Sequence, residues 1–289
     1  MKKHLNYPKF FEIQTASYCN GGCIICPYRE VPRTMPSGFM DQRLFKRIVE
    51  QIGQKSCLGI KIIPYLNNEP FLDKFFINRV EYINQRCPAA EVEISTNLSL
   101  FDDKKQKELS RCLMKELRLS VFGFTKKSYE RVMTGLKWEN TKKNLDLLCV
   151  NKKLRSRIGQ ISLVMIDYPG IRAKDVDLAK RYCRDNFIKF KFWGFLDRGG
   201  NVSSYSNKIK KNHVHGCGQN RVSDRMHILF DGRVVICCMD WRQKYILGDL
   251  SKQTIDEVWE SEKFNNLRKM VGGEKERSPA ICKKCKLSL

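Results

Sequence analysis

The sequence predicts an α/β fold: six βα units followed by a small cysteine-rich unit. Three observations predict it. Short apolar runs alternate with segments of helical period between residues 10 and 197, a tight cysteine cluster follows the first run, and the pattern changes after about residue 200. Alternating strands and helices imply a parallel sheet with right-handed crossovers. Six units suit an open doubly wound sheet or a partial barrel. In both, ligands sit at the C-terminal ends of the strands.

The first strand is FFEIQTA (10–16). DQRLFKRIVEQIG (41–53) has helical spacing, with Asp41 as N-cap. GIKIIPYL (59–66) is the second strand, and residues 73–86 form the next helix. EVEISTN (91–97) is strand three and DDKKQKELSRCLM (102–114) its helix. ELRLSVFG (116–123) is strand four, with helical segments around 126–133 and 138–151. GQISLVMID (159–167) is strand five, with a helix at 173–186, and FKFWGFLD (190–197) is strand six. SSYSNKIKKN (203–212) is polar and basic and reads as a linker, so the boundary falls near 205, between units 1–204 and 205–289. In the second unit MHILFDGRVVICCMD (226–240) predicts a hairpin turning at Asp231-Gly232. A helix covers about 254–270, and Cys282-Lys-Lys-Cys285 follows.

Composition narrows the function. No apolar run approaches the twenty or so residues of a membrane span. The start, MKKHLNYPK, carries charge but no apolar stretch behind it, unlike a secretory signal. Thirteen cysteines, bunched in threes and pairs, then point to reduced thiols, metal ligation and a cytoplasmic location. The net charge of +23 predicts attraction to something acidic, such as a phosphorylated metabolite, a nucleic acid or an anionic surface. The basic residues are spread along the chain without a nucleic-acid motif, which disfavours nucleic acid.

The chemistry concentrates in C-N-G-G-C-I-I-C, which places Cys19, Cys23 and Cys26 on the loop after strand one. Structural zinc sites and four-iron clusters both normally take four protein ligands. Three thiolates leave one metal position open, where a substrate or cofactor can bind.

This motif resembles the signature of the radical S-adenosylmethionine (SAM) superfamily. The resemblance implies a partial (β/α)6 TIM-like barrel in which Cys19, Cys23 and Cys26 hold a 4Fe-4S cluster. SAM would fill the fourth iron position and, on one-electron reduction, yield a 5′-deoxyadenosyl radical that takes a substrate hydrogen atom. Asn67-Asn68-Glu69-Pro70 follows strand two where the family often has Gly-Gly-Glu-Pro, so Asn68, Glu69 and Pro70 would meet the SAM amino group. Both glycines are asparagines here, which tolerate unusual backbone angles. Ser95-Thr96-Asn97 ends strand three where ribose contacts lie, making Thr96 and Asn97 candidates. Ser120 matches a polar contact to the SAM carboxylate, and Tyr28 an aromatic on adenine. At the exit of strand six, Arg198 can pair with a carboxylate or phosphate.

The last 73 residues carry Cys217, Cys237, Cys238, Cys282 and Cys285. Fourteen residues separate Cys217 from Gly232, and four more separate Gly232 from Cys237. This resembles the opening of the SPASM extension, which binds auxiliary iron–sulfur clusters. The shorter twitch form holds one. Four ligands follow from that resemblance: Cys217, Cys237, Cys282 and Cys285. Either Cys237 or Cys238 can be the ligand, and the spacing favours Cys237. The spare thiol of Cys238 is then a candidate hydrogen-atom donor, with Asp240 a candidate base. Zinc held by the same four thiols is the alternative.

The resemblance implies SAM and two 4Fe-4S clusters as cofactors, with flavodoxin or ferredoxin as electron donor. The expected reaction is oxidation of a small sugar-like or anionic molecule, with the auxiliary cluster accepting an electron. A redox-neutral epimerase or peptide maturase using Cys238 is the alternative. Strand one begins about ten residues in, leaving no room for the peptide-clasping domain many maturases carry ahead of it. A zinc-bearing, non-catalytic nucleic-acid binder is a remote third class.

Overall fold

The computed structural model describes residues 5–31, 35–55, 57, 59–205, 210–275 and 277–289. Residues 206–209, inside the expected linker, lie outside that set. The six expected strands are present, and each of the first five is followed by helix before the next strand. They run β1 Phe10–Ile13, α1 Gln42–Gly53, β2 Lys61–Ile63, α2 Phe76–Arg86, β3 Glu91–Thr96, α3 Asp103–Leu109, β4 Met114–Ser120, α4 Lys126–Val132, α5 Trp138–Val150, α6 Lys152–Arg155, β5 Ile158–Asp167, α7 Ala173–Asp185 and β6 Lys189–Gly194. The strands β1 to β6 pair in parallel with their neighbours in order.

Each element follows from local chemistry. Asp41 caps α1 by accepting the amides of Arg43 (2.7 Å) and Leu44 (3.1 Å). Thr125 and Ser128 form a capping box on α4. The helix expected to reach 114 ends at Leu109, because Ser110 closes it and the next residues already pair as β4. Strand residues alternate between two faces. Phe11, Ile13, Ile94, Leu117, Leu119, Leu163 and Met165 are fully buried and share one apolar core with α1, α2 and α5.

The opposite, concave face is charged. Lys61 pairs with Glu93 at 3.2 Å, and Arg118 with Glu116 at 3.1 Å. Arg118 also reaches Glu93, and Lys191 on β6 crosses over β5 to reach Glu116 on β4. Burial alone would raise the Glu116 carboxyl, but Lys191, Ser162 and Arg118 hold it at about 2.

The C-terminal unit adds α8 Arg221–Asp224, β7 Arg225–Ile228, β8 Arg233–Val235, β9 Ile246–Asp249, α9 Ile255–Trp259, α10 Glu262–Gly272 and α11 Ala280–Lys283. The expected hairpin is β7–β8, turning at Gly232 in the left-handed conformation (φ +92°). Two features differ from expectation. β7 lies parallel beside β1, so one nine-stranded sheet runs β6-β5-β4-β3-β2-β1-β7-β8-β9. The single helix expected at 254–270 is two, because Ser261 stops α9 and caps α10 by accepting the Phe264 amide at 3.1 Å.

A buried ion pair braces the segment between β2 and α2. Arg79 Nε donates to Asp73 at 2.8 Å, both side chains are 1% exposed, and Arg79 also donates to the carbonyl of Met40. Removing one partner leaves the other charge buried and unpaired. Asp73→Ala is therefore expected to destabilise the fold by about 3 kcal/mol in urea unfolding, with Asp73→Asn costing less.

Candidate active site

The three cysteines of the first cluster lie on the loop leaving β1. Gly22 donates to Thr134 O at 2.7 Å and Ile24 to Val132 O at 3.0 Å, which seats the loop against the end of α4. A Cβ at Gly21 would stand 3.3 Å from Leu136, so the loop lies close to that side chain. Cys26 turns back with its amide on Cys23 O (3.0 Å), and Cys19 Sγ accepts from the Gly21 amide (3.4 Å). All three thiols are partly buried and free. Burial, the nearby Glu69 and the Cys26 sulfur push Cys19 up to about 12. Burial and the other two sulfurs also push Cys23 well up. Thiolates held this close repel one another, and a soft metal that takes them as ligands offsets that repulsion, so the loop fits one.

The segment after β2 wraps this loop. Asn67 is left-handed (φ +57°), and Asn68 Oδ1 accepts the Leu66 amide at 2.8 Å. Glu69 is 2% exposed and is the hub of the site. Its oxygens accept from Thr96 Oγ1 (2.8 Å), the Asn97 amide (2.7 Å) and the Phe71 amide (3.3 Å), and its own amide donates to Tyr18 O (3.0 Å). Pro70 opens the turn that follows. Asn97 Nδ2 donates to Asn20 Oδ1 at 2.9 Å, tying β3 to the cysteine loop. Burial pushes the Glu69 carboxyl up to about 7 despite these donors. The Asn68 Nδ2 amide is buried with no partner, a donor awaiting an acceptor. Tyr28 is half-buried close to Cys19 and Cys26. Ser120 lies 3.3 Å from Ser95, oxygen to oxygen.

The second set closes on itself. Cys217, Cys237, Cys282 and Cys285 line one small cavity with Arg221, Met239 and Ile281 among its walls. Cys285 folds back on Cys282 O (3.1 Å), and Cys217 bridges to Ser288. Cys238 does not line this cavity. Its sulfur turns to the concave face, where the ligating atoms of Glu12, His227 and Cys238 lie within 4.8 Å of one another. Burial would raise Glu12, but His227, Arg221 and Arg225 hold it at about 2. His213 and His215 are not among the cavity's wall residues.

Asp240 is buried, and both of its oxygens are engaged by backbone amides: Lys244 at 3.0 Å and Tyr245 at 2.9 Å. That closes a turn and leaves the carboxylate poorly placed as a base. Burial raises the thiol pKa of both Cys26 and Cys238, and Arg198 is close enough to both to oppose that rise. Arg198, Gly199 and Gly200 are consecutive left-handed residues (φ +54°, +68° and +79°). Asn201 Nδ2 fixes the bend by donating to Arg198 O (2.8 Å) and Met239 O (3.0 Å). A Cβ on Gly199 would stand 2.9 Å from Ile281, next to Cys282. The Arg198 guanidinium has no hydrogen-bond or ion-pair partner among the described residues. Sequence reasoning missed Asn20, Glu12, His227 and Arg221. A lone acid in the apolar strand FFEI was the available sign for Glu12.

The radical SAM superfamily model matches residues 13–181, more than half of the chain. The chain belongs to the radical SAM superfamily. The SPASM iron–sulfur cluster-binding domain model matches residues 217–286. The S-adenosyl-L-methionine-dependent 2-deoxy-scyllo-inosamine dehydrogenase of Niallia circulans is 22% identical over 274 residues, 95% of this chain and 91% of that protein. The crystal structure of BtrN with AdoMet and 2-DOIA superposes with TM-score 0.64 at 21% identity, covering 98% of this chain and 94% of that one. SuiB of Streptococcus suis bound to its precursor peptide SuiA gives TM-score 0.69 at 13% identity, covering 98% and 71%. Native anSMEcpe with AdoMet gives 0.66 at 18%, covering 96% and 86%. This radical SAM enzyme uses SAM and iron–sulfur clusters, and none of the helices among its described residues is long and apolar enough to cross a membrane.

Metal content tests the two cysteine sets. Anaerobically reconstituted protein is expected to hold about eight irons, falling to about four in Cys19→Ala/Cys23→Ala/Cys26→Ala. Cys237→Ala is expected to lose about four, and Cys238→Ala none. Iron and acid-labile sulfide assays decide.

Proposed function

We propose that this radical SAM enzyme oxidises an alcohol carbon of a small, sugar-like, anionic molecule. Cys19, Cys23 and Cys26 are the ligands of the SAM-binding cluster, and Cys217, Cys237, Cys282 and Cys285 those of an auxiliary one. When bound, SAM and the first cluster supply a radical that removes a substrate hydrogen atom, and the auxiliary cluster supplies a one-electron acceptor. The observation that carries this reading is the single cavity lined by all four thiols. Four thiols leave no vacant iron position, so the second site suits electron transfer and not substrate ligation. A relative named as a dehydrogenase supports it. The Arg198 guanidinium, unpartnered among the described residues and within electrostatic reach of Cys26 and Cys238, is the anchor for a carboxylate or phosphate on the substrate. Ser120 and Tyr28 flank SAM, while Thr96, Asn97 and Pro70 hold Glu69 in place. Flavodoxin or ferredoxin is the electron donor, and thirteen free thiols suit a reducing, cytoplasmic setting.

Glu69 and the Asn68 amide receive the SAM amino acid end. Without SAM the Glu69 pKa of about 7 exceeds the ordinary 4.5. Stability from this residue is greatest below pH 4.5 and is lost as pH rises through about 7. An ammonium group favours the ionised carboxylate. SAM affinity is therefore expected to rise with pH up to about 7 and then level off. Glu69→Gln is expected to weaken binding at least tenfold, about 1.4 kcal/mol, and to flatten the profile, as equilibrium dialysis would show.

A second reading is epimerisation. It is favoured by the position of Cys238, outside the four-thiol cavity and on the concave face beside Glu12 and His227. Turnover in deuterated water separates the two. Oxidation predicts a carbonyl product without solvent deuterium, and Cys238→Ser retaining most activity. Epimerisation predicts one solvent deuterium in the product, and Cys238→Ser abolishing turnover.

A further inference from the structure

We infer that Arg221 is a positioning residue for the auxiliary cluster, donating from the cavity wall to one of its sulfurs and raising its reduction potential. This rests on the ligand assignment above. Arg221 lines the same cavity as the four thiols. Its Nε–H is buried and has no hydrogen-bond partner. A buried, unmet donor on a side chain that lines a four-thiol cavity fits an iron–sulfur group, whose sulfurs accept such bonds.

The backbone dictates this placement. Asn220 donates its amide to Cys217 O at 2.9 Å and is left-handed (φ +51°), so the chain reverses directly after Cys217 and starts α8 with Arg221. The guanidinium is then pinned. Nη1 donates to Cys238 Sγ, one residue beyond the ligand Cys237, and Nη2 reaches Gln219 Oε1 at 3.4 Å. No carboxylate among the described residues forms an ion pair with it. The neighbouring Glu12 is held by Arg225 (3.6 Å) and His227 (3.5 Å). Nor is the Glu12–His227–Cys238 group a convincing cation site, because Arg221 and Arg225 already sit on two of its three donors.

The direction of the effect follows from charge. A cluster with four thiolates is an anion, and reduction adds a further negative charge. A fixed guanidinium in a poorly solvated wall stabilises the reduced form more than the oxidised one. An N–H···S bond acts in the same sense. Arg221 thus favours acceptance of the electron that alcohol oxidation releases.

The test is an EPR-monitored redox titration of the auxiliary cluster, isolated in the Cys19→Ala/Cys23→Ala/Cys26→Ala protein. Arg221→Met should lower the reduced-to-oxidised ratio at fixed potential about tenfold, a midpoint shift of about 59 mV downward for one electron. Arg221→Lys, which keeps the charge but not the Nε donor, should fall between. Iron should stay at about four per chain in each. Arg221→Gln, neutral and still a donor, replaces the methionine variant should the latter fail to hold iron. An unchanged midpoint in a fully loaded neutral variant overturns the inference. Absence of iron from the triple-cysteine protein with Arg221 intact overturns the ligand assignment instead.

Discussion

The carboxylate of Glu69 joins three segments from distant parts of the chain, and the candidate active site has its shape because of that. One oxygen takes the hydroxyl of Thr96, the other the amide of Asn97, and the residue's own amide reaches back to Tyr18, beside Cys19. The exits of β2 and β3 and the first cysteine loop are thereby fixed to one point. The arrangement has an electrostatic cost, since burial raises the Glu69 pKa towards neutrality. A cationic partner offsets that cost. Under the proposed assignment that partner is the SAM ammonium group, so SAM binding would stabilise the site.

The two cysteine sets differ in openness, and openness assigns their roles. Three thiols on a short glycine-bearing loop would leave one coordination position of a four-iron cluster open. Four thiols gathered from the Cys217 turn, the end of β8 and the α11 region close theirs. Arg198, within electrostatic reach of Cys26 and Cys238, stands on a strained bend that Asn201 and Ile281 hold in place. The concave face beneath is lined by paired charges, Lys61–Glu93–Arg118–Glu116–Lys191. Its acids and bases mostly satisfy one another, whereas Arg198 has no partner among the described residues, which is why it is proposed as the anion anchor.

Much of this was legible in the sequence. The six strands and the helices between them, the Asp41 cap, the Asp231-Gly232 turn and the cysteine spacings all rest on neighbours in the chain. What escaped depends on contacts between distant segments. Nothing local places β7 parallel to β1, so the meeting of Glu12 with His227 was invisible. Arg221 reads as one basic residue among many until the left-handed Asn220 turns it into the cavity. Asp240 looked like a base because it follows the cysteine pair, but the turn it closes claims both of its oxygens. Ser261 splits a helix that periodicity alone runs together.

The most direct test of the account is EPR spectroscopy of the reduced enzyme with and without SAM. Two cluster signals are expected. SAM should shift only the signal that is missing from Cys19→Ala/Cys23→Ala/Cys26→Ala, because only that cluster has a vacant iron. A shift instead in the signal that survives in the triple variant would mean that the four-cysteine site is the open one, and would contradict the division of roles proposed here.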